Sequence, residues 1–372
     1  MPAVKNKEIE MLDKAAAEFA RKELAPNREE NDRFPFGPFF DSVLQKAFEL
    51  DFFHLILPES AGGMNQGITA LSRLLENLCR EDSSMGGIVF TTAAAQQIML
   101  EAGNEAELEK LAGGQTARDC LIGLPVFNNP AEIPNMAEAR KNGHTYTLSG
   151  SLEYVVLAGV AGHALIPARL EKEDGYSFFL VNLEGPGVEK SEPVLSLGLR
   201  ACPAVDLQLT NAGAALIGDP GRGDTYFTRM ADKFHTAAAA MSAGVMKGSF
   251  KEAMEYARAR FQGGQEIIKW SEVKMLMANM AVKMSNADMV MTSACHAVDE
   301  GLPGWEQSSR AAALHIQEMA CGATTDGVQL MGGVGYMKDY GQEKRMRDAK
   351  HMQALLGIAP LKRIRFLEKM IK

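Results

Sequence analysis

A block of strand-like sequence between two helical regions is the feature that most constrains the fold. Segments such as YVVLAGV, YSFFLVNL and VDLQLTN are short, rich in β-branched and aromatic residues, and separated by Gly, Pro and Asn. On either side, apolar residues recur at spacings of three and four, which is typical of amphipathic helices. The sequence therefore predicts an α+β protein with helices over 1–116, a compact β domain over 117–220 and helices again over 221–372.

The last region contains long helical patterns. The first, FHTAAAAMSAGVMKGSFKEAMEYARAR, is rich in Ala, Ser and Gly, so a neighbouring helix can approach it closely. After FQGGQ, a second pattern places apolar residues on one stripe, which predicts a core face because Met fills irregular gaps. The stripe consists of Val273, Leu276, Met280, Met284, Ala287 and Met291. Two more helices are predicted, from Trp305 and from about Tyr340.

The charge of the chain argues against nucleic acid as a partner. The net charge is −8 over 372 residues, whereas duplex binding depends on cations that neutralise phosphates. The exception is the segment 343–372, where nine Lys and Arg residues face three acidic ones. Two interpretations stay open for it: a solvated helix face with cations near helix ends, or a site for an anionic ligand.

Generic motifs add little. The five cysteines form no close pairs and favour reduced thiols in the cytoplasm. We expect no membrane span, since no apolar run reaches the roughly 20 residues needed, and no metal site, since the seven histidines form no HExxH and no CxxC is present. A nucleophile elbow and a P-loop are also missing, and GGVGYM lies between helical patterns instead of following a strand.

The order of these parts resembles the acyl-CoA dehydrogenase family, nearly from end to end. Landmarks of the resemblance occur in the family's order and spacing. They are ARKELAP, LPESAGG, GHTYTLSG, LGLRACPAVDLQL, YARARFQGGQEI, QLMGGVGY and RMRDAK. The resemblance implies a barrel-like middle sheet and a C-terminal four-helix bundle. It also implies flavoprotein chemistry: a carboxylate removes the alpha proton of an acyl-CoA thioester, FAD accepts a hydride, and electrons pass to an electron-transfer flavoprotein.

Neither position at which the family carries its catalytic Glu holds an acid. After Arg347-Asp348-Ala349-Lys350, the usual Y-E-G-T becomes Leu355-Leu356-Gly357-Ile358, so the Glu position falls on Leu356. The alternative position, aligned on Gly244, falls on Phe234. We therefore assign no catalytic residue, leaving a displaced acid such as Glu318 or Asp339 as the alternative.

The groups that the resemblance assigns to the flavin ring are also altered. The T-E-P-x-x-G-S-D stretch becomes Leu124–Pro130, and W-x-T becomes Tyr154-Val155-Val156. The aromatic residue is kept as Tyr154, but Val156 and Ile358 lack the hydroxyls that Thr would bring. Losing buried polar contacts costs about 1–3 kcal/mol each, so the resemblance implies a degenerate ring pocket around Tyr154, Val156 and Leu356.

The groups for a neighbour's cofactor are mostly retained. In the family, each flavin is shared within a dimer, and the ADP half is contacted from R-x-x-F-G and Q-x-x-G-G. This chain keeps Arg260, Gln329, Gly332 and Gly333, although the Phe is replaced by Gly263. Arg offers a charge-assisted donor to pyrophosphate and Gly permits close backbone approach. The alternatives are a surface charge for Arg260 and a helix C-cap for the glycines.

This division predicts a non-catalytic, flavin-assisting subunit of a heteromeric acyl-CoA dehydrogenase. A related subunit would supply the base, the ring contacts and the acyl-CoA pocket. Two alternatives stay open: an autonomous flavoenzyme with non-dehydrogenase chemistry, and a flavin-free binding or assembly protein.

Overall fold

Helices, a sheet and more helices follow one another along the chain, as predicted. The structure, a computed structural model, describes residues 2–133, 136–143, 145–171 and 173–371. His144 of the GHTYTLSG segment and Lys372 of the basic segment lie outside these ranges.

The first helices build the N-terminal part. Helices α1 to α7 are Pro2–Phe19, Arg28–Asn31, Asp41–Glu49, Ile68–Glu81, Ser83–Glu101, Glu105–Ala112 and Ala117–Cys120. A π-helical turn, Ala20–Leu24, extends α1. The N-terminus of α4 begins after Gly67, which has no side chain to cap it. Instead, Asp299 accepts hydrogen bonds from the backbone N–H groups of Ile68 and Thr69, at 2.7 and 3.0 Å, and satisfies two amides that the helix leaves free.

The middle sheet closes on itself. Strands β1 to β7 are Ile122–Gly123, Ala137–Asn142, Thr145–Val156, His163–Leu170, Ser177–Asn182, Val188–Lys190 and Ala204–Ile217. Five of them pair in the ring β4–β2–β3–β7–β5–β4, while β1 joins β4 and β6 joins β7. The predicted barrel-like sheet is confirmed. Its closure leaves few free edges.

The C-terminal helices form the predicted bundle, with its fourth member in two pieces. Helices α8 to α12 are Gly223–Ala259, Ser271–Asp299, Trp305–Met331, Gln342–Met352 and Ala359–Met370, and a short hairpin of β8 (Phe261–Gln262) and β9 (Gln265–Glu266) links α8 to α9. The small residues of α8 bring α4 close, since a Cβ on Gly244 would collide with the carbonyl of Glu76. On α9, Met280, Ala287 and Met291 of the predicted stripe are buried.

The interruption between α11 and α12 differs from the single helix expected from about Tyr340. The backbone turns at Leu356 and Gly357, where φ is 61° and 113°. Left-handed backbone of this kind ends an α-helix, and Pro360 then occupies the first turn of α12. The break is local and leaves both helices packed against α10.

A buried ion network ties α11 to the N-terminal helices. Lys344 donates to Asp82 at 3.0 Å and to Asp348 at 2.7 Å, and all three side chains are buried. Burial opposes ionisation of Lys344, but the two carboxylates outweigh it and hold the pKa of this ammonium above its ordinary value. Nearby, Arg347 binds Asp32 at 2.5 Å.

The prediction of a solvated basic face is therefore wrong for these residues. Lys344, Arg345 and Lys362 are buried, and Arg345 makes a two-pronged ion pair with Glu252. The alternative, a site for an anionic ligand, is not needed to explain them, because the protein's own carboxylates and carbonyls occupy these cations. The sequence showed the cations but not the distant acids that they meet.

Lys362, on α12, stabilises the turn between α11 and α12. Its ammonium donates to the carbonyls of Gln353 and Leu355, both at 2.9 Å, and to the side chain of Gln317 at 3.3 Å. Burial lowers the pKa of Lys362 to about 7. The backbone turn at Leu356 is thus fixed by a lysine that came from the next helix.

Replacing Lys344 by Met should lower the free energy of unfolding by about 3–5 kcal/mol, because two buried carboxylates lose their counter-charge. Guanidinium denaturation followed by circular dichroism would measure the loss. The matched control is Lys350→Met on the same helix, where the lysine is exposed and the change should stay within about 0.5 kcal/mol. Equal losses in the two variants would contradict a central role for Lys344.

Lys362 should make stability depend on pH. Its folded pKa of about 7 lies below the ordinary 10.5, so between these values the unfolded chain binds the proton more readily. The free energy of unfolding should therefore rise as the pH rises from about 7 towards 10.5, by up to roughly 5 kcal/mol, and be flat below 7.

The variant Lys362→Met should lack this contribution. Denaturation midpoints of both proteins, measured from pH 7 to 9.5, would show wild type gaining stability relative to the variant as the pH rises. Parallel curves over this range would refute the assignment.

Candidate functional site

Three stretches that the resemblance assigns to one pocket do converge. Leu124 and Val156 exchange backbone hydrogen bonds at 3.0 and 3.2 Å, which joins the 124–130 stretch to the end of β3. The N–H of Leu356 donates to the carbonyl of Val126 at 2.9 Å, which brings in the turn between α11 and α12. Segments more than 200 residues apart in the sequence thus meet at the junction of sheet and bundle.

The two positions expected for a catalytic Glu are apolar and enclosed. Leu356 is 2 % exposed and Phe234 is 1 % exposed. The ring of Phe234 packs edge-on against Phe90, with centroids 5.6 Å apart. Neither side chain can accept a proton, and both serve as core.

Glu318 and Asp339, the candidates for a displaced acid, are both exposed. The side chain of Glu318 is 66 % exposed and pairs with Arg363 at 2.6 Å. A different carboxylate lies closer to the turn. Glu132 has an oxygen 4.0 Å from where a Cβ on Gly357 would be, and it pairs with Arg365 at 2.8 Å. No sequence pattern pointed to Glu132, because it lies in a short 3₁₀ turn outside any motif.

An aromatic cluster occupies the meeting point of the three stretches. It consists of Phe127, Tyr154 and His351, all half-buried. The ring centroid of Phe127 lies 4.5 Å from that of His351 and 5.6 Å from that of Tyr154. Phe127 and His351 were not singled out in the sequence, although His351 directly follows the RMRDAK segment.

Hydrogen bonds orient this cluster. The hydroxyl of Tyr154 lies 3.2 Å from Nε2 of His351, and the N–H of Gly198 donates to Nδ1 of His351 at 3.5 Å. Burial lowers the pKa of His351, so the ring is neutral near pH 7 and its proton belongs on Nε2, facing the Tyr oxygen. Burial also raises the pKa of Tyr154 to about 12.

The residues here do not fit a flavin ring well. Val156 is buried and carries no hydroxyl, and the side chain of Ile358 is 51 % exposed and apolar. The hydroxyl of Tyr154 and Nε2 of His351 are hydrogen-bonding partners of each other, so neither is left free for the polar edge of a flavin ring. Tyr154, Val156 and Leu356 thus lie in segments that meet at one place, and a degenerate flavin pocket there stays a prediction.

The four residues predicted to contact a neighbour's cofactor lie at one end of the bundle. Thr236 donates to Ser309 at 2.7 Å, and further along both helices Gly327 packs against Ser249. Helices α8 and α10 therefore run in the same direction, and both C-termini point towards the same end of the bundle. Arg260 follows one terminus and Gln329 to Gly333 form the other.

This end of the bundle faces outward. Arg260, Gln329, Gly332 and Gly333 are all exposed. In the part of the chain that the structure describes, Arg260 has no ion-pair partner. At Gly332 φ is 62°, and this glycine is the C-cap of α10. The interpretation of Gly332 as a helix cap is therefore correct, and a cofactor contact would be an additional role.

Trp270 explains the substitution at Gly263. A Cβ on Gly263 would lie 2.9 Å from Cζ2 of Trp270, and the indole N–H donates to the carbonyl of Gln262 at 3.2 Å. At Gly263 φ is 67°, a left-handed conformation that favours glycine. The indole therefore occupies the space in which a side chain at 263 would begin.

Among the described residues, no group of three or more His, Cys, Asp or Glu side chains is arranged to hold a metal ion. The described helices include none that is long and apolar enough to cross a membrane.

Comparison with known proteins agrees with this geometry. The profile "Acyl-CoA dehydrogenase, N-terminal domain" matches residues 6–115, and "Acyl-CoA dehydrogenase, C-terminal domain" matches residues 221–366. A probable acyl-CoA dehydrogenase, YngJ of Bacillus subtilis, is 26 % identical over 98 % of both chains.

Solved structures give the same result for the fold. One described as the electron transferring flavoprotein of Acidaminococcus fermentans has a chain with a TM-score of 0.90 and 25 % identity, covering 98 % of each chain. Butyryl-CoA dehydrogenase from Megasphaera elsdenii has a TM-score of 0.89 at 22 % identity, again over 98 % of each. With both terminal domains matched and the three-part fold shared throughout, the chain belongs to the acyl-CoA dehydrogenase family.

Proposed function

We propose that this chain is the non-catalytic, flavin-assisting subunit of a heteromeric FAD-dependent acyl-CoA dehydrogenase. Members of the family generally bind FAD. The observation that carries the proposal is a contrast between two places. Where the chain's own reaction would occur, the side chains are apolar or paired with each other, whereas the residues that would serve a neighbour's cofactor are exposed together at one bundle end.

The catalytic centre lacks its essential group. Proton removal next to a thioester needs a base within hydrogen-bond reach, and Leu356 and Phe234 fill both expected places with buried hydrocarbon. Restoring one group would not restore the site, because the hydroxyls expected at 156 and 358 are also missing. Each such loss weakens a polar ligand's binding by about 1–3 kcal/mol.

The bundle end has what an ADP group requires. Arg260 would donate to the pyrophosphate of FAD held by a related subunit, as a charge-assisted pair. Gln329 would supply a polar contact, and the adjacent glycines would allow close approach of the backbone. Electrons from such a complex would pass to an electron-transfer flavoprotein, as in the family.

A second candidate is an autonomous flavoenzyme, and Glu132 favours it. This carboxylate lies beside the turn that carries Leu356. Its ion pair with Arg365 would have to break before it could act as a base. The third candidate is a flavin-free assembly protein, and no contact among the described residues specifically favours it.

The chain expressed alone should contain no stoichiometric flavin and oxidise no acyl-CoA. Its visible absorbance after purification, and turnover with a dye acceptor over a panel of acyl-CoA chain lengths, would test this. Bound flavin with turnover would overturn the proposal. In that event Glu132→Gln decides whether Glu132 is the base: activity should then be lost while the flavin stays bound.

Replacing Arg260 by Ala should reduce the flavin content of the partner complex. The loss of a charge-assisted donor predicts roughly 10- to 100-fold weaker flavin binding. The complex is obtained by tagging this chain in its native cells and purifying the flavoprotein that accompanies it. Flavin per complex is then measured at increasing dilution.

The matched control is Arg258→Ala. Arg258 is also exposed and lies in the last turn of α8, whereas Arg260 follows the end of that helix with an extended backbone. Only the Arg260 variant should lose flavin. Unchanged flavin content in both would refute the cofactor role and favour the assembly protein.

A further inference from the structure

A groove along α4 is a large cavity outside both places described above. It has a volume of about 980 Å³, and its lining on α4 runs from Thr69 to Arg80, with further residues from α1 and α9. At 1.5 Å per residue, that stretch of α4 is about 16 Å long. The groove contains no residue of the aromatic cluster or of the exposed bundle end, and its volume suits a small molecule.

The groove is polar and carries charges of both signs. Among the described residues that line it there is no Phe, Tyr or Trp, so it offers no side chain on which a flavin or a nucleobase would stack. Its lining has more carboxylates than permanent cations. The carboxylates are Asp13, Glu76, Asp288, Asp299 and Glu300, and the cations are Arg73, Arg80 and Lys247.

Most of these charges are already engaged by the protein itself. Lys247 bridges Glu76, at 2.6 Å, and Asp288, at 2.5 Å, and Arg80 adds a contact of 3.4 Å to Glu76. At the other end of the groove, Asp299 accepts the hydrogen bonds of the first amides of α4. These groups hold the helices together and are not free for a ligand.

One cation and one carboxylate are left over. Asp13 accepts a hydrogen bond from Asn77 at 2.8 Å, whereas Arg73 and Glu300 are exposed and have no ion-pair partner among the described residues. Glu300 is the C-cap of α9 and directly follows the carboxylate that caps the start of α4. Arg73 lies five residues beyond the first residue of α4. The two charges are therefore about 7 Å apart along the helix axis.

A buried hydroxyl next to Arg73 lacks an acceptor as well. Ser72 is 3 % exposed and lines the groove, and its Oγ has no hydrogen-bond partner among the described residues. A buried polar group without a partner is unfavourable, and a ligand oxygen would satisfy it. Cys295 also lines the groove, but burial raises the pKa of its thiol to about 11. The thiol is therefore protonated near pH 7, and the groove suits binding rather than covalent reaction.

We propose that this groove binds a small linear zwitterion, with its carboxylate on Arg73 and Ser72 and its ammonium on Glu300. Hydrogen bonds between charged groups are the strong ones, and a ligand with both charges meets both unpaired side chains at once. A pure anion would face the surplus of carboxylates in the lining, and a pure cation would leave Arg73 without a partner. The site is independent of the cofactor role, since it shares no residue with the bundle end that carries Arg260.

Three probes of equal chain length test the need for both charges. 6-Aminohexanoate carries a carboxylate and an ammonium about 7 Å apart when extended, whereas hexanoate carries only the carboxylate and hexylamine only the ammonium. Titration calorimetry of the full chain should give 6-aminohexanoate a dissociation constant below about 1 mM, and the other two should bind at least roughly 10-fold more weakly. Equal binding of either single-charge probe, or no binding of 6-aminohexanoate up to about 10 mM, would overturn the proposal.

Two variants assign the ends of the ligand. Glu300→Gln keeps a polar side chain but removes the counter-charge, so 6-aminohexanoate should lose its preference over hexanoate. Arg73→Ala should weaken 6-aminohexanoate binding roughly 10- to 100-fold. The control Arg258→Ala, exposed and outside the groove, should bind as wild type does, and thermal melting would verify that all three fold. A preference retained in Glu300→Gln, or an unchanged affinity in Arg73→Ala, would refute the assignment.

Ser72→Ala separates binding from folding. The affinity for 6-aminohexanoate should fall roughly 3- to 10-fold, while the melting temperature should not fall, because the hydroxyl has no partner to lose. A lower melting temperature with unchanged affinity would show that Ser72 serves the fold alone and would contradict its part in the site. Failure of all ligand binding would leave the cofactor role untouched, since that is read from flavin content.

Discussion

The buried ammonium of Lys344 is the interaction on which the rest of the site depends. It joins Asp82, at the start of α5, to Asp348 on α11, with no solvent to screen the charges. Buried ion pairs of this kind add little net stability compared with apolar packing, but they are costly to break and so fix position strongly. The position they fix is that of α11, and with it the turn that carries Leu356.

The turn that carries Leu356 is held by contacts to both the bundle and the sheet. Lys362 holds the carbonyls of Gln353 and Leu355, and the N–H of Leu356 still reaches Val126 in the sheet. The hydrocarbon at 356 and 234 then packs as ordinary core, which tolerates apolar residues of suitable size. The scaffold is therefore maintained by the protein's own contacts, so the fold around Leu356 does not require a carboxylate at that position.

The sequence predicted the architecture well because each part has a distinct pattern. Strand-like segments between helices indicated the middle sheet, and the Met stripe of α9 indicated a core face. Sequence patterns did not predict the environment of residues whose contact partners are distant in the sequence. Lys344 and Arg345 looked like solvated cations because Asp82 and Glu252 lie far away in sequence.

The candidate site shows the same limit. Motif positions located Leu356, Phe234 and Tyr154, but the pairing of Tyr154 with His351, the approach of Glu132 to Gly357 and the packing of Trp270 over Gly263 depend on tertiary contacts. No local pattern encodes such contacts. The exposure of Arg260 beside the end of α10 likewise follows from the parallel course of two helices, which their sequences do not specify.

The capping of α4 by Asp299 has a mechanical consequence. The start of an N-terminal helix is completed by a carboxylate at the end of α9, so pulling these regions apart would leave two amides without acceptors, at a cost of about 1–3 kcal/mol each. The ion pairs between α4 and α8 resist the same separation. Separating the first and last thirds of the chain would therefore break both the helix cap and these ion pairs.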